Sequence, residues 1–558
     1  MFVACLLALA VPKAMPEKWV YLATNLLVEA NVDNNITLLK RAKSAGYTGF
    51  VVADSKFTRW NQLPQRYKDN AKRFRETARS LGLQFVACVA PVGYSNDLLA
   101  GDPNLAEGLP VKGAEFQVDG NNDLVPVDDS AGFVNGGFES NDNGKPTGWS
   151  WIDAPGVSTF IDSSVKVSGS SSLRMSDPIK GAPDSGNCRA SQLLTVKPFH
   201  YYHVSFQVKT EDLDNPNSVE VKAIGKSGQS LSFRSLPIKR TMDWTPLDVT
   251  FNTLDNSEVN FYVGIWGGKS GTLWWDDVKI EQGGFVNLVR RPGAPFKVTS
   301  LDGKTVYREG IDLQPVSDPK MGNAQWPGDY DTWHTPPAVK IVPGHGLKAG
   351  DRVVADYYHT ALIYDGQAMV CMAEPKTDQL LLDVVKQVHT FLHPDGYMLS
   401  HDEIRMTGWD ESCERSGKNP AQLLADNVRK CTNMVKNEDP GKRIFAWSDM
   451  FDPNHNAAKD GFYYLLKGKG PWSGSWLGLA QDVTVFNWNS DPSKRVASLQ
   501  FFANRGHRQI LAGYYDGPTN AIKGWIKDSA GIKGVDGVMY TTWVGDYSKL
   551  EDFAAATK

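Results

Sequence analysis

Cysteine is scarce: Cys5, Cys88, Cys188, Cys371, Cys413 and Cys431 are the only six in 558 residues. None forms a CxxC and none shows zinc-ligand spacing, which argues against a disulfide framework or a small zinc module. Buried free thiols are the expectation, with Cys413 and Cys431 the one candidate pair if the chain is exported. There is no basic block, and the formal net charge is only -4, so nucleic acid is not an expected partner. No HExxH or similar ligand set appears, and no glycine-rich phosphate loop follows a strand, so metal hydrolysis and nucleotide chemistry both read poorly. No apolar run is long enough to span a bilayer. The short run over residues 2–11 suits the central part of a signal peptide cleaved near Ala14, although the basic flank is missing. Residues 1–14 are therefore read as a signal peptide and the protein as secreted or periplasmic, with no membrane partner.

What is present is globular: 41% hydrophobic and 22% charged residues, in a chain long enough for several domains. Aromatics are abundant, with 17 Trp, 19 Tyr and 24 Phe. Ring faces pack on the C–H faces of sugars, which leans weakly toward carbohydrate; filling large cores is the plainer use. From Trp19 onward, short apolar runs alternate with amphipathic helical patterns. Strand candidates fall near 19, 49, 83, 397, 443, 482, 509 and 537. Each has a helix pattern behind it, the fifth ("GFYYLLKG") being weak. Eight such units are the count of a (β/α)8 TIM barrel in the α/β class, with a doubly wound sheet as the alternative. Helical periodicity lapses between about 92 and 375. That stretch is expected to be an insertion after strand three, on the face where such barrels keep their active sites. The expected division is 15–91 for the first barrel part, 132–283 for a β-sandwich, 284–375 for a small β region near the barrel mouth, and 376–558 for the second barrel part.

The stretch 132–283 carries many short alternating segments punctuated by Gly, Ser, Asn and Pro. "FVNGGFES", "GWSW", "GSSSLRM", "YYHVSFQVKT" and "LWWDDVKIE" follow one another there. In kind and order they resemble carbohydrate-binding modules of the family 4, 9 and 22 type. The resemblance implies a jelly roll, often with a structural calcium, and makes Glu139 and Asp277 candidate ligands for it. Trp149, Trp151, Trp244, Trp266, Trp274 and Trp275 are open as sugar platforms or core. Period-two alternation sends Trp274 and Trp275 to opposite faces of their strand.

The chemistry concentrates in "YMLSHDEIR", residues 397–405. A buried strand ends there in two adjacent carboxylates. Other strand ends carry Trp447 and Asp449, Asn487 and Trp488, Tyr514, Tyr515 and Asp516, and Trp543 and Asp546. Paired carboxylates among aromatics fit glycoside hydrolysis, with an oligosaccharide or polysaccharide as substrate and no cofactor for catalysis. Adjacent strand residues face opposite ways, so Asp402 and Glu403 share a pocket only if the chain turns at the tip. The Asp-Glu pair at the end of strand four resembles the β-hexosaminidases of glycoside hydrolase family 20. That resemblance implies Glu403 as general acid/base and Asp402 as the carboxylate that orients the substrate's own acetamido nucleophile. It also implies walls from Trp447, Trp488 and Trp543, and an acetamide bond from Tyr514 or Tyr515. A rival arrangement pairs Glu403 with Asp449, Asp516 or Asp546. His401 is a sugar or carboxylate partner, or a histidine bonded beneath the site. Arg405 is expected to lower the pKa of Asp402 or to bind an anionic sugar, and Trp409 to lie over a subsite. A non-catalytic polysaccharide-binding protein is the competing class.

Overall fold

The computed structural model describes residues 15–127, 131–364, 366–458, 464–468 and 472–557. The expected signal peptide lies outside the described residues. Eight parallel strands close into a barrel: β1 (Glu17–Ala23), β2 (Gly49–Ala53), β3 (Gln84–Cys88), β4 (Gly396–Leu399), β5 (Arg443–Trp447), β6 (Thr484–Asn487), β7 (Gln509–Leu511) and β8 (Val535–Tyr540). Closure is made by β1 and β8, with Glu17 beside Gly537 and Val20 beside Tyr540. Helices α1 (Glu29–Ser44), α2 (Gln65–Ser80), α3 (Pro375–Leu392), α4 (Pro420–Glu438), α5 (Pro492–Asn504), α6 (Ile522–Asp528) and α7 (Leu550–Ala556) connect the strands.

Alternation along the strands sorts the barrel into two apolar layers. Trp19, Val51, Val86, Met398, Phe445, Phe486, Ile510 and Met539, one from each strand, fill the interior as a separate cluster. Their neighbours, such as Phe50, Phe85, Leu399 and Val485, pack outward against the helices. Burying residues of this size stabilises by about 1.5–3 kcal/mol each. Helix starts are marked locally. Asn419 and Gln422 form a capping box at α4, and the Asp491 carboxylate accepts the Ser493 N–H at α5 at 2.9 Å.

The fifth unit differs from expectation. Residues 459–463 and 469–471 lie outside the described residues. Between them Leu465–Leu466 forms a two-residue strand parallel to Met406–Thr407, in place of the weak helix expected over 461–468. Among the described residues, β5 leads only into short 3-10 turns.

Between β3 and α3 lie three large antiparallel sheets and a two-stranded one, Asn141–Asp142 with Lys145–Pro146. The sheet joined to the barrel mouth contains Leu109–Val118 and Asp123–Pro126 from before the middle sheets, and Leu288–Val289, Lys297–Ser300, Val306–Tyr307, Val339–Lys340 and Arg352–His359 from after them. Its centre is the pairing of Leu109–Val118 with Arg352–His359. The chain between these halves forms a five-stranded and a four-stranded antiparallel sheet. Inward residues of both, such as Val204, Phe206, Trp275, Val221 and Phe261, share one core. No helix among the described residues is long and apolar enough to cross a membrane.

Candidate active site

The C-terminal ends of the barrel strands surround a cavity of about 450 Å³. Tyr21, Cys88, Trp447 and Trp488 continue the inward-facing rows of β1, β3, β5 and β6 and form its floor and walls, with Tyr515 and Trp543 above. The rings support one another: Trp447 lies 5.5 Å from Tyr21 and 6.1 Å from Trp543, and Trp488 stacks on Tyr515 at 6.5 Å between centroids.

Backbone geometry explains how two adjacent carboxylates enter together. Met398 faces inward on β4, and Ser400 and Asp402, beyond the end of the strand, also line the cavity. In extended backbone Glu403 would point away. His401 and Glu403 both adopt left-handed backbone, with φ of 49° and 47°, and the resulting turn brings Glu403 to the same cavity. The turn is braced from β3: a Cβ on Gly93 would lie 1.7 Å from the Asp402 carbonyl oxygen, so only glycine permits this approach.

The carboxylates have unlike surroundings. Glu403 is gripped at both oxygens, by Arg405 Nη2 at Oε1 (2.7 Å) and by the donating Tyr94 hydroxyl at Oε2. Arg405 is itself held by Gln367 Oε1 at 2.5 Å and lies 4.4 Å over the Tyr364 ring. Asp402 has its pKa pushed well above the usual carboxylate range, chiefly by burial and then by Asp449 and Glu403. Arg405 acts in the expected downward sense but is outweighed. Asp449, fully buried, is pushed up to about 6 by burial. It accepts the Glu403 N–H (3.0 Å), the Asn456 amide (2.9 Å) and the Trp488 indole N–H (3.1 Å). Asp449 thus supports the Asp402–Glu403 turn from behind.

Several candidates sit elsewhere. His401 is buried beneath the cavity, its Nε2 2.8 Å from Asn427 Oδ1, and burial lowers its pKa to about 4. The Asn487 amide is buried and donates to Ser498 Oγ (2.8 Å) and Gln509 Oε1 (3.2 Å). Tyr514 is buried and stacks on Tyr540 at 4.2 Å. Trp409 is buried, and its indole donates to the Leu465 carbonyl at 2.9 Å. Asp516 accepts the Trp543 N–H (2.8 Å), and Asp546 accepts the Ser548 N–H (2.8 Å). Of the three rival carboxylates, Asp449 alone touches the pair.

The cavity also contains residues the sequence reading did not name as site residues: Tyr94, Asp97, Thr58, Asp54 and Tyr21. Asp97 has a raised pKa from burial. Asp54 stands at the end of β2, where the strand-end rule points, and applying the same rule to "APVGYSND" after β3 would have found Tyr94 and Asp97.

In the inserted sheets, Glu139 and Asp277 flank one loop: Glu139 accepts the Ser170 N–H at 2.6 Å, and Asp277 the Ser168 hydroxyl at 2.9 Å. Trp275 is core, against Phe206 at 5.3 Å, and the buried Trp274 indole donates to Asp162 at 3.1 Å. Trp149 is buried between Phe133 and Phe138, whereas Trp151 is exposed. The candidate pair Cys413 and Cys431 is not joined. Cys413 Sγ lies 3.7 Å from Cys371 Sγ, and Cys431 Sγ meets Asn427 Oδ1.

No protein-family model and no curated protein matches the chain. Solved structures with local similarity include the xylan-binding CBM22-1 domain of Paenibacillus barcinonensis Xyn10C, at 16% identity over 26% of this chain and 90% of that one, with a TM-score of 0.21. A chitobiase of Flavobacterium johnsoniae is similar at 16% identity over 36% of this chain and 30% of its own, with a TM-score of 0.24. An arabinose-bound α-L-arabinofuranosidase, MgGH51, is similar at 12% identity over 81% of this chain and 73% of its own, with a TM-score of 0.22. At these scores the likenesses assign neither family nor activity, and the functional reading stands on the site's geometry.

Proposed function

We propose that the chain is an exported glycoside hydrolase of the (β/α)8 TIM-barrel type, with a jelly-roll, carbohydrate-binding-like domain inserted after β3. One observation carries this reading. Two adjacent carboxylates with unlike surroundings, Asp402 buried and Glu403 ion-paired, enter one aromatic-walled cavity at the C-terminal strand ends. Cleavage of a glycosidic bond needs a proton donor for the leaving oxygen and an anion or nucleophile facing the oxocarbenium-like centre. Rings such as Trp447, Trp488 and Trp543 suit the apolar faces of a sugar. Ca²⁺, which Glu139 and Asp277 would hold, belongs to the same reading of the inserted domain.

The family resemblance makes Glu403 the acid/base and Asp402 the carboxylate orienting an acetamido group. The resting electrostatics favour a second division of labour. Burial raises the pKa of Asp402 and favours its protonated form, while Arg405 and Tyr94 bind the two oxygens of Glu403. In that reading Asp402 protonates the departing oxygen and Glu403 stabilises or attacks the anomeric carbon.

The test is a panel of aryl glycosides and natural glycans, assayed with wild type, Asp402→Asn and Glu403→Gln. Loss of the proton donor spares substrates with activated leaving groups, whereas loss of the anion does not. Whichever variant retains the activated aryl substrate therefore identifies the acid. Hydrolysis restricted to N-acetylhexosaminides supports substrate assistance. If wild type cleaves nothing and both variants bind glycan as wild type does, the hydrolase reading fails and a polysaccharide-binding protein replaces it.

A further inference from the structure

Away from the cavity, four side chains from three separate stretches converge in the interior: Glu107, Cys371, Asp410 and Cys413. All are buried, and one ligand atom from each lies within 4.8 Å of every other. The edges of this group are informative. Cys371 Sγ is 3.7 Å from Cys413 Sγ, Cys371 Sγ is 3.5 Å from Asp410 Oδ1, and Cys413 Sγ is 3.5 Å from a Glu107 carboxylate oxygen. A tetrahedral ion with Zn–S near 2.3 Å and Zn–O near 2.1 Å requires S···S edges of about 3.8 Å and S···O edges of about 3.6 Å. Three of the six edges stand at that spacing, and the other three are within 4.8 Å.

The charges point the same way. Arg291 is the cation of the cluster, bonded to Asp410 at 2.5 Å. Glu107 receives the Trp409 N–H (2.7 Å) and the Cys413 thiol, with no cation in ion-pair contact among the described residues. Glu107 and Asp410 thus share the one Arg291 guanidinium, and a bound divalent cation would add countercharge to the two buried carboxylates. Two thiolates select a borderline-soft ion over Ca²⁺ or Mg²⁺. The surrounding bonds would orient the ligands: the Cys413 N–H donates to Asp410 Oδ1 at 3.0 Å, and Arg291 holds the other oxygen.

We propose that Glu107, Cys371, Asp410 and Cys413 form a structural Zn²⁺ site that pins the loop after β4 to the two ends of the insertion. Binding replaces the two thiol protons, which are released to solvent. The site also accounts for two cysteines 42 residues apart that no spacing motif detects.

The full-length protein is stripped with a chelator under reductant and then titrated with Zn²⁺ alone and with Co²⁺ alone. Expected results are one Zn²⁺ per chain by elemental analysis, the visible absorption of a tetrahedral thiolate-bound Co²⁺, and a higher Tm with Zn²⁺. The Cys371→Ser/Cys413→Ser double variant should lose the cobalt absorption. Glu107→Gln keeps both thiols, covers the case in which the double variant misfolds, and should bind Zn²⁺ at least tenfold more weakly. The proposal is overturned if folded wild type takes up no stoichiometric Zn²⁺. It is equally overturned by a Cys371–Cys413 disulfide in the protein as isolated, or by unchanged uptake in a folded cysteine variant.

Discussion

Tyr94, from the segment after β3, and Arg405, from the same segment after β4 as Glu403, grip opposite oxygens of Glu403. A hydrogen bond to a charged group contributes about 1.5–3 kcal/mol. Tyr94→Phe removes that bond and little packing, because the ring is 45% exposed. We expect kcat/KM on a cleaved glycoside to fall about 10- to 100-fold, with unfolding stability lowered by no more than about 1.5–3 kcal/mol. Steady-state kinetics beside urea denaturation check this. Asp449 makes a second prediction. Its carboxyl is raised from 3.8 to about 6, so the folded state binds the proton more tightly than the unfolded chain does. Its stabilisation is therefore complete below about pH 4 and is lost as pH rises through about 6, by up to about 3 kcal/mol. Comparing the urea midpoints of wild type and Asp449→Asn from pH 4 to about 7 isolates this component. The difference between the two should shift toward the variant as pH rises; a pH-independent difference contradicts the assignment.

At the scale of elements, the strand-four turn depends on a neighbour. Gly93→Ala drives a Cβ into the Asp402 carbonyl, and overpacking of this kind costs about 1–3 kcal/mol. We expect that loss in urea denaturation, together with a larger loss of kcat than any change in KM, since the reacting carboxylates move. An activity loss without destabilisation is not expected. At α4, Asn419→Ala removes the capping box and should lower stability by about 1 kcal/mol without affecting activity, as its exposed cap lies on the helix rather than at the cavity. Proximity to a strand end is what was legible in this region. Asn487 and Trp488 straddle the end of β6, and Tyr514 and Tyr515 follow the end of β7; in each pair one residue faces the cavity and the other the packing behind it. The sequence reading named both members of each pair because it used proximity to the strand end alone. Trp488 and Tyr515 line the cavity; Asn487 and Tyr514 do not.

At the scale of the whole molecule, the insertion and the barrel are joined by buried polar contacts. Arg291 reaches Asn104 O (2.8 Å), Ala106 O (3.1 Å), Glu374 (3.4 Å) and Asp410 (2.5 Å) while only 5% of its side chain is exposed. Replacing it leaves Asp410 buried without its ion-pair partner. Arg291→Met should therefore cost about 3–5 kcal/mol in urea or thermal unfolding. A loss under about 1 kcal/mol would show that the joint is not stabilising.

The sequence alone determined the eight-strand repetition and the place where it is interrupted, because apolar periodicity is local and survives without knowledge of contacts. It also singled out Asp402 and Glu403, since two carboxylates at the end of a buried run are improbable as packing. Tertiary structure alone decided three further matters. The left-handed turn at His401 and Glu403 admits both carboxylates to one cavity. Tyr94, from the start of the insertion, completes the grip on Glu403. Glu107, Cys371, Asp410 and Cys413 meet although hundreds of residues separate the first from the others. Each of these depends on which segments pack side by side, and pairing between distant segments leaves no periodic trace in the chain.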